Sequence, residues 1–284
     1  GGQCPILNDW TVKWSEGIVV SGTAFEYTQT ASTTSGTVAL AVNGTIQPGK
    51  TSAIVNGAWS IANVTAFEGD VVTVFIDSAN DANEAAAVTV YDGEGDVTGI
   101  PLYERHLTIG SNDAATVSNA NIALYDYSTS LNDEDLFFDV DGSNDLTVCA
   151  IATCNDAELY IKSGNTYRPD STSSGNVSTH DIENNGTITA DGNTFSVNGS
   201  WDNNSVFTAN TSSVIFTATS TTETIDSGAS AFNNITLGQT SGTATWNQSS
   251  YLDVNGVLSI TYGTLSPGSS STTIAGNFTI NTNG

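Results

Sequence analysis

The sequence of 284 residues predicts an all-β protein, and three observations support this fold class. Signals for helices are nearly absent, since only residues 80–88 have a composition suited to a turn or two of helix. Short runs rich in Val, Ile, Thr, Tyr and Phe recur along the chain, separated by Gly, Asn, Asp and Ser. In the C-terminal half these runs follow one another at steady intervals, which is typical of stacked coils.

Residues 1–105 are predicted to form the first domain. Several of its apolar runs alternate apolar and polar residues, as strands with one buried face do. Six or seven short strands in about 100 residues suit an immunoglobulin-like sandwich, and we predict that fold. The predicted strands cover residues 10–14, 17–22, 37–42, 58–64, 71–77 and 87–92.

One segment of this domain matches a phosphate-binding pattern. Residues 44–51 read GTIQPGKT, which fits G-x-x-x-x-G-K-[ST]. A phosphate-binding loop needs a helix directly after it, because the helix N-terminus supplies the amide donors. Here a strand–turn–strand pattern follows instead, so nucleotide binding is not expected. We predict that Pro48 and Gly49 set a turn between two antiparallel strands.

Residues 106–284 are predicted to form a β-solenoid, also called a parallel β-helix. The motif apolar-x-Gly-x-apolar occurs as VNGSW at 197–201, VNGVL at 254–258 and IAGNF at 274–278, with the apolar residues on one face at period two. At about 20 residues per coil, the region makes roughly nine coils. A second β-sandwich or a set of antiparallel hairpins is the alternative.

The composition and repeat pattern of this region resemble those of a known group of proteins. Residues 193–218, 232–246 and 252–280 are similar to the Thr/Asn/Gly-rich repeats of large microbial cell-surface proteins, which are adhesin-like or fibre-forming. Those proteins combine parallel β-helix repeats with immunoglobulin-like modules. The resemblance covers residues 160–284 well and 106–160 loosely. It implies an extracellular structural role and transfers no site residues.

Composition excludes several classes of function. A net charge of −25 repels phosphate backbones and anionic membrane surfaces, so no nucleic-acid partner is expected. No apolar run approaches the roughly 18–20 residues of a membrane span, so membrane insertion is not expected. Methionine is absent, which favours a mature secreted chain that has lost a signal peptide.

The three cysteines suggest one disulfide. Cys149 and Cys154 are close enough in sequence to pair across a turn, which would constrain the unfolded chain. Cys4 is left over and is either a free buried thiol or paired between subunits. A zinc site is not expected, because the only two histidines, His106 and His180, are far from any cysteine in sequence.

Residues 139–145, DVDGSND, form the main candidate metal site, and no other cofactor is expected. Calcium prefers six to eight oxygen ligands. The flanking residues are strand-like and position 150 is Ala, so an Asp-Gly hairpin turn is the alternative. Residues 132–135 lie just before and could add ligands, and the acidic segments at 77–84 and 92–96 are weaker candidates. The predicted calcium ligands are Asp139, Asp141, Asn144 and Asp145.

The sequence contains ten N-x-[ST] sequons, so the protein is a candidate glycoprotein. The frequency of Asn, Ser and Thr makes many such matches expected by chance. The candidate glycosylation sites are Asn43, Asn63, Asn176, Asn185, Asn198, Asn203, Asn210, Asn234, Asn247 and Asn277.

Catalytic signals are weak, and we predict that the protein is not an enzyme. The sequence has no G-x-S-x-G and no H-E-x-x-H. The two histidines are interpreted as surface or packing residues. A polysaccharide-degrading β-helix enzyme, the lesser alternative, would need bases or carboxylate pairs, and the solenoid region offers only Lys162 and Arg168 as bases. Trp201 and Trp246 are either core residues or a platform for sugars.

The function predicted from the sequence is structural. We expect an extracellular subunit of a cell-surface filament or surface layer that assembles head to tail with copies of itself. Residues 1–8, with the apolar run 4–7, are a candidate connector that docks on a neighbouring subunit; an edge strand within their own domain is the alternative. An adhesin or a module that binds surface glycans is the second hypothesis.

Overall fold

The computed structural model is all-β and contains a parallel β-solenoid of about nine turns, from about residue 86 to residue 280. This confirms the predicted solenoid and rules out antiparallel hairpins as its main architecture. The structure describes residues 17–31, 35–77, 84–127, 135–149, 156–172, 174–239 and 241–281.

The N-terminal part consists of two packed layers of strands. One layer has the order β4-β1-β7, with β1 and β7 parallel, and the other has the order β3-β2-β5-β6 with antiparallel pairs. The strands are β1 (Ile18–Phe25), β2 (Thr37–Val42), β3 (Thr45–Ala53), β4 (Ala58–Val64), β5 (Val71–Asp77), β6 (Ala86–Val90) and β7 (Val97–Tyr103).

The immunoglobulin-like form of this part is not confirmed. An immunoglobulin-like sandwich places its second and fifth strands in one sheet with the first and fourth. Among the described strands, β2 and β5 lie in the layer opposite β1 and β4. The strand predicted at 10–14 lies outside the described residues.

The segment GTIQPGKT is part of a strand. β3 runs through Pro48, Gly49 and Lys50, and the turn between β2 and β3 lies earlier, at Asn43 and Gly44. The predicted turn at Pro48 and Gly49 is therefore wrong, although the antiparallel pairing is correct. β3 is the terminal strand of its sheet, and a proline is tolerated at an edge because its missing N–H breaks no ladder bond.

Residues 80–88 have a composition suited to a turn or two of helix, but the C-terminal part of this segment forms a strand. Ala86, Ala87 and Val88 belong to strand β6 and are buried on both faces. Small side chains suit a strand packed between two layers. Within the described residues, a short helix occurs further along the chain, at Asn119–Ile122.

The remaining elements build the solenoid. They are β8 (His106–Ile109), β9 (Thr116–Val117), α1 (Asn119–Ile122), β10 (Asp139–Val140), β11 (Leu146–Thr147), β12 (Glu158–Ile161), β13 (Thr166–Tyr167), β14 (Val177–Thr179), β15 (Asp181–Asn184), β16 (Thr187–Thr189), β17 (Thr194–Val197), β18 (Trp201–Asn203), β19 (Val206–Thr208), β20 (Ser213–Phe216), β21 (Thr222–Asp226), β22 (Asn234–Leu237), β23 (Thr245–Gln248), β24 (Leu252–Val254), β25 (Leu258–Ile260), β26 (Thr264–Ser266), β27 (Thr272–Ile274) and β28 (Phe278–Ile280).

The solenoid strands stack into parallel sheets. The first face contains β6, β8, β12, β15, β18, β21, β23 and β26, and the second contains β11, β14, β17, β20, β22, β25 and β28. Shorter sheets, β9-β13-β16-β19 and β24-β27, form the third side. Register partners such as Val177 and Phe195, or Trp201 and Ile225, show that coils differ in length around the predicted value of about 20 residues.

The two parts of the molecule share strands. β6 pairs antiparallel with β5 on one side and parallel with β8 on the other. As a result, Ala39, Phe75 and Val88 belong to the solenoid core, while Val38, Val74 and Ala87 of the same strands belong to the core between the N-terminal layers. The N-terminal strands therefore cover one end of the solenoid. 

Aromatic rings fill the middle of the solenoid. Trp201 is fully buried, and its ring centroid lies 6.1 Å from Phe195, 4.8 Å from Phe207 and 5.2 Å from Phe232. Such edge-to-face contacts are favourable beyond the area they bury. Trp246 is also fully buried, 6.3 Å from Phe216.

Buried asparagines hold one corner of the coils. Asn184 and Asn203 end β15 and β18, and Asn184 Nδ2 donates to Asn203 Oδ1 at 2.6 Å and to the Val206 carbonyl oxygen at 2.9 Å. Asn203 Nδ2 donates to the carbonyl oxygens of Ser227 at 2.8 Å and Ser205 at 3.2 Å. These amides satisfy backbone groups that the turn leaves without a ladder partner.

The glycine motif marks corners, but not one and the same corner. VNGSW joins β17 to β18, whereas VNGVL and IAGNF join β24 to β25 and β27 to β28. In the latter pair the glycines stack, because a Cβ on Gly276 would lie 2.2 Å from the carbonyl oxygen of Gly256. The motif therefore identifies a local bend rather than a fixed position in the coil.

Candidate functional site

Acidic side chains line up along the outer surface of the first face. Glu183, Asp202 and Asp226 are register partners on β15, β18 and β21, and Tyr160 of β12 precedes them in the same line. We call these three acids the carboxylate row. Neighbouring coils lie about 4.8 Å apart, so the carboxylates of the row repel one another. Burial raises the pKa of Asp202, and the charges of Glu183 and Asp226 add to this.

A second row of side chains runs along the same face, beside the carboxylate row. It contains the buried histidine His106. His106 and Glu158 are register partners, and His106 Nε2 lies 2.9 Å from Glu158 Oε2. Gln29 Nε2 lies 3.4 Å from the same nitrogen and also donates to Glu183 Oε2 at 2.6 Å. Burial raises the pKa of Glu158, and the hydrogen bond with His106 acts in the opposite direction. His106 thus fastens the segment carrying Gln29 to the solenoid.

The same segment is held by an aromatic contact. The guanidinium of Arg105 lies 4.1 Å from the ring centroid of Tyr27, and Arg105 also pairs with Asp156. Burial and the neighbouring carboxylates raise the pKa of Tyr27 to about 12, so its hydroxyl stays neutral. These contacts fix the backbone that leads out of β1.

A cleft of about 300 Å³ opens where β1 and β7 meet β12. Aromatic rings from all three strands line it, and Tyr160 places the cleft next to the carboxylate row. We call it the aromatic cleft. Its lining includes Thr23, Phe25, Tyr103, Tyr160, Lys162 and Ser163.

The tryptophans do not form a platform for sugars. Trp201 and Trp246 are core residues, so that hypothesis is wrong for these two side chains. Of the two cationic residues singled out from the sequence, Lys162 lines the aromatic cleft, and Arg168 Nε donates to Asp191 Oδ2 at 2.6 Å on the surface.

Of the candidate calcium ligands, Asp139 lies in β10, and Asp141, Asn144 and Asp145 lie in the hairpin turn between β10 and β11. Asp141 Oδ1 accepts backbone N–H groups of Ser143 at 2.8 Å and Asp145 at 3.0 Å, and Asn144 has a positive φ of 65°. The Asp145 carboxylate accepts from Asn176, while one oxygen of Asp139 is buried without a hydrogen-bond partner. Hydrogen bonds in and around the turn thus already occupy several of the oxygens that calcium would need as ligands. 

Metal binding has no further support within the described ranges. They contain no group of three or more His, Cys, Asp or Glu side chains placed to hold a metal ion. Calcium binding at residues 139–145 therefore stays a prediction, as do the weaker acidic candidates.

Cys149 is disulfide-bonded. The other two cysteines, Cys4 and Cys154, lie outside the described residues, so the pairing of Cys149 with Cys154 stays a prediction.

The candidate glycosylation sites differ in exposure. Asn203 is buried and its amide belongs to the asparagine corner, so it is not accessible in the folded chain. Asn176, Asn185 and Asn234 are half-buried. The exposed sequons are Asn43, Asn63, Asn198, Asn210, Asn247 and Asn277.

Comparison of the sequence with protein-family models finds no match, and comparisons with curated proteins and with solved structures likewise find none. In the described part of the chain, no helix is long and apolar enough to cross a membrane.

His180 gives the molecule a pH-dependent contribution to stability. Its Nδ1 lies 3.0 Å from Asp181 Oδ2, and this interaction raises the pKa of His180. A histidine with a raised pKa stabilises the fold below its unfolded pKa of about 6.5, and this contribution disappears as the pH rises through the folded pKa. We expect His180→Gln to melt at a lower temperature than the wild type near pH 5 and at an equal temperature near pH 9.

Thermal melts of both proteins across this range test the expectation. Asp181→Asn should remove the same pH-dependent difference, because it removes the partner. A difference between wild type and His180→Gln that is constant with pH would contradict this role for the ion pair.

Proposed function

We propose that this chain is an extracellular structural protein, a subunit of a cell-surface filament or surface layer that associates head to tail. The observation that carries the proposal is the last described coil, made of β26, β27 and β28. Its Phe278 and Ile280 are 52% and 57% exposed, although they continue the inward-facing register of the core. Their partners on the preceding coil, Leu258 and Ile260, are 1% and 7% exposed.

The backbone of this coil is also open for pairing. Within the described ranges, no strand pairs with the outer edge of β26, β27 or β28. An open strand edge with apolar side chains tends to pair with another chain. We propose that a stacked element covers this coil, because a further coil buries both the edges and the two apolar side chains, and that a second copy of this chain can supply this element.

The two ends of the subunit differ, which sets the kind of assembly. The N-terminal strand layers cover the opposite end of the solenoid. A contact between one end and the other is heterologous, and such contacts give filaments unless the rotation closes a ring. Residues 1–8 lie outside the described ranges and remain the proposed connector, because the apolar run 4–7 suits strand addition.

An extracellular location is supported by cysteine chemistry. Cys149 is disulfide-bonded, and disulfides persist mainly in oxidising compartments. The surface, rich in Ser, Thr and Asn with few charges, suits stacked coils whose neighbouring side chains must not repel.

A double substitution in the last coil tests the proposal. We expect Phe278→Asp with Ile280→Asp to abolish association, because carboxylates would be buried at the contact. Thr279→Asp is the matched control, since Thr279 lies between the two on the same exposed strand. Sedimentation velocity over a range of concentrations, with electron micrographs of the same samples, measures assembly.

The wild type and Thr279→Asp should form concentration-dependent linear particles, and the double variant should stay monomeric with an unchanged melting temperature. A wild-type chain that stays monomeric at high concentration would contradict the proposal of head-to-tail association. If deletion of residues 1–8 leaves assembly intact, that segment is not the connector.

A further inference from the structure

The aromatic cleft is a second feature, separate from the exposed coil of β26, β27 and β28. It lies at the opposite end of the solenoid from β28, between the N-terminal layer and the coil that contains β12. Its volume of about 300 Å³ lies at the small end of the range for small-molecule sites, roughly 300–1,000 Å³. It therefore fits one or two sugar-sized rings rather than a long chain segment.

The rings in the cleft are held in a fixed arrangement. Phe25 and Tyr103 are register partners on β1 and β7, with centroids 5.0 Å apart and an interplanar angle of 32°. Tyr160 meets Tyr103 edge to face, with centroids 4.9 Å apart. Since the three rings come from three strands of packed sheets, their geometry does not depend on a mobile loop.

Polar groups of both signs surround the rings. Lys162 is a lining residue, and its Nζ donates to Asn112 Oδ1 at 3.0 Å. Thr23 and Ser163 supply hydroxyls. Glu183, the register partner of the lining residue Tyr160, is the first acid of the neighbouring carboxylate row. A cation in the lining and a carboxylate beside it favour a ligand that is neutral and carries both hydrogen-bond donors and acceptors.

We propose that the aromatic cleft binds a neutral pyranose sugar, as the end or a short part of a glycan. A pyranose ring has an apolar C–H face that packs on aromatic rings and hydroxyls at its edge that match the surrounding polar groups. An anionic sugar fits less well, because the carboxylate row is adjacent and the chain has a net charge of −25. 

Binding is measured by saturation-transfer NMR with neutral trisaccharides of glucose, mannose and N-acetylglucosamine. Tri-galacturonic acid serves as the anionic comparison. The best neutral probe is then titrated by calorimetry into the wild type and the variants Tyr103→Ala, Tyr160→Ala and Ser163→Trp. Tyr251→Ala is the matched control, because Tyr251 is an exposed tyrosine on a distant coil.

We expect at least one neutral probe to bind, and each cleft variant to weaken it by about tenfold or more. The control should bind as the wild type does. Since Tyr160 is nearly buried, its variant is interpreted only with an unchanged melt. Ser163 is exposed, so Ser163→Trp obstructs the cleft without loss of core packing.

Three results would overturn the proposal. The first is the absence of saturation transfer for every neutral probe. The second is binding that Tyr103→Ala and Ser163→Trp leave unchanged, which would place the sugar elsewhere. The third is tighter binding of tri-galacturonic acid than of all neutral probes, which would refute the ligand class.

Discussion

Replacing Trp201 by alanine is expected to lower the free energy of unfolding by about 3–5 kcal/mol. The indole is fully buried and contacts Phe195, Phe207 and Phe232 inside the solenoid. The lost free energy has two parts. One is the transfer free energy of a large apolar group, and the other is the cost of the cavity left behind. The coils cannot close this cavity, because backbone pairing on two sides fixes their positions. Equilibrium denaturation in guanidinium chloride measures the change.

Tyr251→Ala is the control for this experiment. Tyr251 is a large aromatic residue that is 48% exposed, and surface substitutions change stability by about 0.5 kcal/mol or less. A Trp201→Ala variant as stable as Tyr251→Ala would mean that Trp201 does not lie in the core.

Asn203→Ala is expected to have the second largest effect, a loss of about 2–3 kcal/mol. The Asn203 amide donates to the carbonyl oxygens of Ser227 and Ser205 and accepts from Asn184 Nδ2. Alanine would leave these buried groups without partners, and a buried group that loses its partner pays its full desolvation cost. The same denaturation measurement applies.

The neighbouring residue supplies the control. Asn204 is exposed, so Asn204→Ala keeps the corner intact and should unfold close to the wild type. Equal stability of the two variants would show that the asparagine corner contributes nothing specific to the fold.

The solenoid could be predicted because its physical requirement is local. Every coil must present apolar residues inward and bend at defined corners, so Val197, Trp201, Val254 and Leu258 recur with glycine between them. What the motif could not reveal was which corner each copy occupies, because coils vary in length. The order of strands in the N-terminal layers was also hidden, since pairing such as β1 with β7 joins residues far apart in sequence.

The candidate sites were harder to predict from the sequence than the solenoid was. Glu183, Asp202 and Asp226 recur at nearly the coil length, a signal that a search for evenly spaced acids in the charge-poor region would find. The aromatic cleft gave no such signal, because Phe25, Tyr103 and Tyr160 come from three distant segments. The calcium prediction relied on ligand types alone, without the backbone N–H groups that compete for the Asp141 carboxylate.

The strands shared by the two parts of the molecule have a consequence for synthesis. A chain cut after β7 would keep β2, β5 and β6 but expose their solenoid-facing side chains Ala39, Phe75 and Val88 to water. Such a fragment would be prone to aggregate. On the ribosome the N-terminal strands emerge first, so these side chains stay exposed until the residues that pack on them, such as Tyr125 against Phe75, have also emerged. Each later coil then adds to a template already in place.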